Sequence, residues 1–201
     1  MSHYSPSMGP RPLVRSAPPP PVTTSYLCPP RPDDEEARLS ALHALDILDT
    51  ASDQRFDRIT SLVADLFGVP SALVSLVDEN RQWFKSACGL DARETPREVS
   101  FCGHAILERS IFVIEDARLD RRFAGNPLVT GAPFVRFYAG AVLRDSAGYP
   151  LGTLCVIDSS PRLFDRDDRR RLIGFAQLVE QELEHHSDVL RIRSLMARIG
   201  S

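Results

Sequence analysis

The segment Ser100-Phe-Cys-Gly-His-Ala-Ile-Leu107 sets a thiol and an imidazole two residues apart, and an acid follows in Phe112-Val-Ile-Glu-Asp-Ala117. A third stretch, Phe137-Tyr-Ala-Gly-Ala-Val-Leu143, adds a phenol among small residues. Cys102 and His104 invite a metal or cofactor reading, but on a helix residues two apart point about 200° away from each other. They cannot readily ligate one metal ion: one faces the pocket or core and the other faces elsewhere. The plain reading of Cys102 is a small buried hydrophobe, and that of His104 a hydrogen-bonded imidazole at the margin of the core. Asp116 and Asp120 stand beside Arg118, Arg121 and Arg122, which reads as a solvated ion-pair cluster. With an anionic ligand, Arg121, Arg122 or Arg136 would supply bidentate contacts. No nucleophile, base and orienting group stand together, so the sequence assigns no catalytic residue and no metal ligand, and it names no cofactor. The candidate ligand pocket is Cys102, Asp116, Phe123, Asn126 and Tyr138. Alternation along a strand puts Phe137 and Tyr138 on opposite faces.

These residues need elements to hold them. After the acids Asp33-Asp-Glu-Glu36, the spacing of Leu39, Leu42, Leu45 and Ile47 predicts a short amphipathic helix. A second helix is expected over 53–67, with Phe56, Ile59, Leu62, Val63 and Leu66 on one face and Gly68 and Pro70 at its end. The apolar run 73–77, a turn at Asp78-Glu-Asn80 and a return over 82–87 read as a hairpin. A polar loop follows over 91–98, then a helix over 101–108 and a short strand over 112–115. Gly125, Asn126-Pro127 and Gly131-Ala-Pro133 make 117–133 a long loop with one helical turn at 118–124, and such loops inside a domain are usually functional. Strands over 134–144 and 150–158 flank the turn Asp145-Ser-Ala-Gly148. A long helix over 165–197 carries Leu172, Ile173, Phe175, Ala176, Leu178, Val179 and Leu183, and its length exceeds what one small sheet can cover.

With 24 basic and 27 acidic residues the chain offers no electrostatic footprint for nucleic acid or an anionic membrane. It has no apolar run of membrane-spanning length and no signal-peptide order at its start, so a cytoplasmic location is expected. Cys28, Cys88, Cys102 and Cys155 form no Cys-x-x-Cys pair, which argues for free thiols. Ten of the 16 prolines fall within residues 1–32, so that segment is expected to be a disordered tail. Residues 33–184 then form one domain and 185–201 a helical extension.

Nine phrases in order resemble the GAF domain family, in the bacterial branch found before diguanylate cyclase or histidine kinase modules. They are Ile47-Leu-Asp-Thr50, Phe67-Gly-Val-Pro70, Ala72-Leu-Val-Ser-Leu-Val-Asp78, Gln82-Trp-Phe-Lys85, Glu94-Thr-Pro-Arg97, Ser100-Phe-Cys-Gly-His-Ala-Ile106, Asn126-Pro-Leu128, Arg136-Phe-Tyr-Ala-Gly140 and Gly152-Thr-Leu-Cys-Val-Ile-Asp158. The resemblance implies an α+β fold, a GAF-like antiparallel sheet flanked by helices, with long N- and C-terminal helices. It also implies a sensory or regulatory domain that binds a small molecule between sheet and loop, and with no output module after Ala197 a stand-alone domain is expected. Such a domain acts in signal transduction as a homodimer or through a signalling partner. The alternatives are a ligand-free dimerisation or docking module, and a thiol enzyme like the free methionine sulfoxide reductases, in which Cys88 and Cys102 would approach each other. Bilin-binding relatives use a cysteine beside a histidine, whereas Gly103 separates the two here. Cyclic-nucleotide-binding relatives carry Asn-Lys and Phe-x-x-x-Asp-Glu; this chain matches Asp116 but lacks the Asn-Lys pair and the following Glu.

Overall fold

The structure, a computed structural model, describes residues 25–199 of the 201-residue chain. Helix α1 covers Glu35–Ala44 and α2 covers Gln54–Phe67. Asp53 caps α2 by accepting from the Arg55 amide at 3.0 Å, and Gly68 ends it in the left-handed region at φ 56°. The residues α2 buries are Phe56, Thr60, Val63 and Ala64, whereas Leu62 and Leu66 are exposed. That face is rotated from the one the leucines suggested. Thr60 Oγ1 meets Ser86 Oγ at 2.8 Å and Ser86 donates to Asp57 at 2.6 Å, a polar chain that turns Thr60 toward the sheet.

Strands β1 (Ser71–Val77) and β2 (Arg81–Cys88) form the first hairpin, and a short β3 (Glu94–Pro96) pairs with β2. A 3-10 turn at Arg97–Val99 leads into α3 (Phe101–Ala105), which is shorter than the expected 101–108. Then follow β4 (Ile111–Ile114), α4 (Pro127–Thr130), β5 (Phe137–Arg144), β6 (Pro150–Asp158) and α5 (Arg166–Ile199). The six strands form one antiparallel sheet in the order β3-β2-β1-β6-β5-β4. The sheet is flanked by helices, and α5 is 34 residues long. The amino-terminal helices, at 10 and 14 residues, are shorter than the resemblance implied. Asp46 and Asp49 take positive φ between them, which breaks the helical path.

Alternation sorts the side chains onto two faces. Ala72, Val74, Leu76, Phe137, Ala139, Leu154 and Val156 join α1, α2 and α5 in one apolar cluster. Leu73, Val77, Tyr138 and Cys155 join α3, Phe112, Phe123 and Val129 in the other. Phe137 and Tyr138 thus face opposite sides, as the strand period required. Because both faces are covered, β1 and β6 are buried almost without a break rather than at alternate positions.

Residues 1–24 of the proline-rich segment lie outside the described residues. Residues 25–32 pack on the domain instead of extending it as a tail. The Leu27 amide donates to the Arg122 carbonyl at 3.0 Å, and the Leu27 carbonyl accepts from His104 Nε2 at 3.0 Å. A β-carbon at Gly103 would stand 2.7 Å from Pro29 Cγ, and one at Gly125 would stand 2.4 Å from the Ser25 carbonyl. Two glycines on neighbouring elements therefore let one extended strap lie flat across α3 and the loop before α4.

Candidate functional site

The layer between the sheet and the loop starts from α3. Ser100 caps this helix by accepting from the Gly103 amide at 2.8 Å, and its own hydroxyl is bonded to Gln82 on β2. The cap fixes the rotation of a helix only five residues long. Cys102 then points at β6 and β5, while His104 points at the strap and packs edge-on against Phe123 with centroids 4.9 Å apart. The divergence of the two residues is the one the helical angle required. Among the described residues, no group of three or more His, Cys, Asp or Glu could hold a metal ion.

Three groups surround the Cys102 sulfur. Thr153 Oγ1 donates to it at 3.1 Å, Tyr138 OH donates at 3.2 Å, and Cys155 Sγ lies 3.8 Å away. The Tyr138 ring lies along β5 over Gly140, where a β-carbon would stand 2.2 Å from the phenol oxygen. Only glycine at 140 lets the phenol lie there. Burial alone pushes a thiol up, but hydrogen bonding from Cys155, Ser75, Thr153 and Tyr138 outweighs it at Cys102 and holds its pKa below the ordinary thiol value. At Cys155 the bond to Cys102 and burial both act upward, and burial beside the two thiols raises Tyr138. Cys102 is the member of the cluster that ionises first.

Of the five pocket candidates, four share this layer and are sealed from solvent: Cys102, Phe123, Asn126 and Tyr138 are each 1% exposed or less. Phe123 stacks on Phe101, with centroids 4.1 Å apart and planes 8° from parallel. Asn126 works as a cap and brace: it accepts from the Leu128 amide at 2.9 Å and donates to the Val99 carbonyl at 3.0 Å. Asp116 lies elsewhere. Its carboxylate is clamped by Arg118 at 2.7 Å, and it lines an open groove of about 650 Å³ with Val113, Asp120, Arg122, Arg162 and Leu163. Asp120 is paired in the same way with Arg122 at 2.7 Å, and Arg136 donates to the Val129 carbonyl at 2.7 Å. Most of the arginines considered for an anion are thus engaged within the chain.

Two partners escaped the sequence reading. Thr153 and Cys155 are two apart on β6 and so share a face, a signal present in Gly152-Thr-Leu-Cys155 once the inward side is known. Leu27 carried no signal, since it sits among prolines. The expected approach of Cys88 to Cys102 does not occur: Cys88 packs with the cluster on the helical face and Cys102 with the one on the loop face.

This architecture defines a class of sensory and regulatory domains. The GAF domain family matches residues 52–183, and the chain belongs to that family. A cyclic di-GMP phosphodiesterase of Pseudomonas aeruginosa is 46% identical over 153 residues, which are 75% of this chain and 26% of that relative. The chain therefore spans about a quarter of the curated relative it matches. Among solved structures, the GAF domain of an Acinetobacter phosphoenolpyruvate-protein phosphotransferase superposes with a TM-score of 0.57 at 18% identity, covering 77% of this chain and 98% of that one. A free methionine-R-sulfoxide reductase from Neisseria meningitidis, solved with its substrate, gives a TM-score of 0.57 at 17% identity, covering 83% of this chain and 99% of that one. At such identities the likeness speaks to the fold alone. Among the described residues no helix is long and apolar enough to cross a membrane.

Proposed function

We propose that this chain is a GAF-type regulatory domain that binds a small molecule on the loop side of its sheet and passes the bound state to a partner or a second copy through α5. The observation that carries this reading is the buried polar cluster of Cys102, Tyr138 and Thr153, set between the sheet and a layer of loop and strap. A buried polar cluster beneath a loop-and-strap layer suits a site that opens locally to admit a ligand. The 46% identity to part of a cyclic di-GMP phosphodiesterase supports a role in controlling a signalling output of that kind. In this reading the chain performs no catalytic step of its own and works in the cytoplasm.

A second reading rests on α5. Beyond the core contact Leu183, the helix carries Ile192, Leu195, Met196 and Ile199, all exposed and falling at i, i+3, i+4 and i+7. That stripe suits a helix-to-helix interface, and it would serve a ligand-free dimerisation module equally well. Native mass spectrometry of protein purified from its own cells separates the two readings. Extra mass on each subunit is expected for a sensor. A dimer with no added mass, unchanged by a panel of nucleotides and metabolites, would overturn the ligand reading and leave the interface one.

A further inference from the structure

Cys102 and Cys155 are 53 positions apart in the chain, on α3 and β6, yet their sulfurs lie 3.8 Å from each other. Both are free thiols with no access to solvent. Their surroundings are unequal. Cys102 receives the hydroxyls of Tyr138 and Thr153, so a negative charge on its sulfur is met by two donors in a dry site. At Cys155 the bond to the Cys102 sulfur, burial and the charge of Cys102 all favour the protonated thiol. One thiol is prepared for attack and the other is held beside it as a resolving group.

We propose that Cys102 and Cys155 form an oxidisable dithiol, converted to an intramolecular disulfide by a small hydroperoxide and tying α3 to the sheet. The Cys102 thiolate attacks one peroxide oxygen and the O–O bond breaks. The departing oxygen takes up the proton released by Cys102 and leaves as water or alcohol, and Cys102 becomes a sulfenic acid. The Cys155 sulfur then attacks the Cys102 sulfur. The S–O bond breaks, and the hydroxyl leaves as water with the Cys155 proton. Two thiols lose two electrons and two protons, and the peroxide gains them. The sulfurs must close by about 2 Å to reach bonding distance. The closure falls on α3, five residues long, because β6 is fixed in the sheet by β1 on one side and β5 on the other. Burial favours a small oxidant, since hydrogen peroxide needs a smaller opening to reach these sulfurs than a glutathione-sized disulfide.

The test is to treat the full chain with hydrogen peroxide, block the remaining thiols, digest the protein and map all four cysteines. The expected product is a peptide pair joined through Cys102 and Cys155, two hydrogens lighter and restored by dithiothreitol. In Cys155→Ser, dimedone should trap a sulfenic acid on Cys102. In Cys102→Ser, oxidation of Cys155 should be about tenfold slower or more. Circular dichroism of each variant, before and after oxidation, confirms that the fold is retained. If Cys102 and Cys155 remain blockable after exposed Cys28 is fully oxidised, the proposal is wrong. Accumulation of sulfinic acid on Cys102 beside an untouched Cys155 thiol would overturn it equally.

Discussion

His104 Nε2 donates to the Leu27 carbonyl across 3.0 Å, and this bond joins α3 to a strap 77 positions earlier in the chain. A carbonyl only accepts, so the ring carries its proton on Nε2 and the neutral imidazole suffices. The Leu27 amide faces the opposite way and is held by Arg122. One residue of the strap thus links the helix that carries Cys102 to the loop that carries Phe123.

Gly103→Ala should lift this strap. The added β-carbon would stand 2.7 Å from Pro29 Cγ, a clash relieved only by moving a stiff ring. The expected cost is about 1–3 kcal/mol in chemical denaturation. Hydrogen exchange at the Leu27 amide should accelerate while the amides of β1 and β6 stay protected. Unchanged exchange at Leu27 would mean that the strap tolerates the methyl group.

Acid should destabilise the fold through the same histidine, although its bond to Leu27 favours the charged ring. Burial, with Arg122 nearby, pushes the pKa of His104 below the ordinary imidazole value. The unfolded chain therefore binds a proton more readily, and stability from this group is complete above about pH 6.5 and declines as the pH falls below it. Denaturation midpoints measured between pH 7.5 and 5.5 should fall in the native chain, and part of that fall should vanish in His104→Gln. A pH profile identical in the variant would remove His104 from the account.

Glu35 holds two buried cations. Its carboxylate accepts from Arg38 at 2.8 and 2.9 Å and is bonded to Arg97; Arg38 has no solvent exposure and Arg97 is 5% exposed. Burial pushes the Glu35 carboxyl up, but the two arginines outweigh it and hold it at about 2. Glu35→Gln leaves two buried guanidinium groups without their anion, and a loss of about 3–5 kcal/mol is expected in denaturant titrations. In the native chain this contribution should be complete above the ordinary carboxylate range near pH 4.3 and decline as the pH falls toward 2. A variant as stable as the native chain would show that solvent reaches the cluster.

Leu195→Glu and Met196→Glu change exposed positions on α5, 50% and 69% accessible, so the fold should keep its stability within about 0.5 kcal/mol. Sedimentation should nevertheless report a shift toward the monomer, because a charge would enter the apolar stripe. If the native chain is monomeric at micromolar concentration, or the variants associate as it does, the interface lies elsewhere.

Much of the fold was legible in local residues. Asp145-Ser-Ala-Gly148 between two apolar runs specified the β5–β6 hairpin, and Asp53 and Gly68 marked the ends of α2. Strand β3 was not legible: Glu94-Thr-Pro96 has no apolar alternation, and it is a strand because it pairs with Arg81–Trp83 at the sheet edge. The buried face of α2 misled for a similar reason. Leu62 and Leu66 have the composition of a core, but the polar chain from Asp57 through Ser86 to Thr60 turns them outward.

By itself, the sequence determined the order and type of the major elements, the opposite facing of Phe137 and Tyr138, and the divergence of Cys102 from His104, because periods of 2 and 3.6 are local properties of the backbone. Only the tertiary structure decided that Cys102 meets Cys155 rather than Cys88, and that Asp116 lies in an outer groove away from Tyr138. It also decided that Leu27 belongs to the domain. Each of those depends on which face of the sheet a distant element covers, and sheet order and register set that through pairings between strands far apart in the chain.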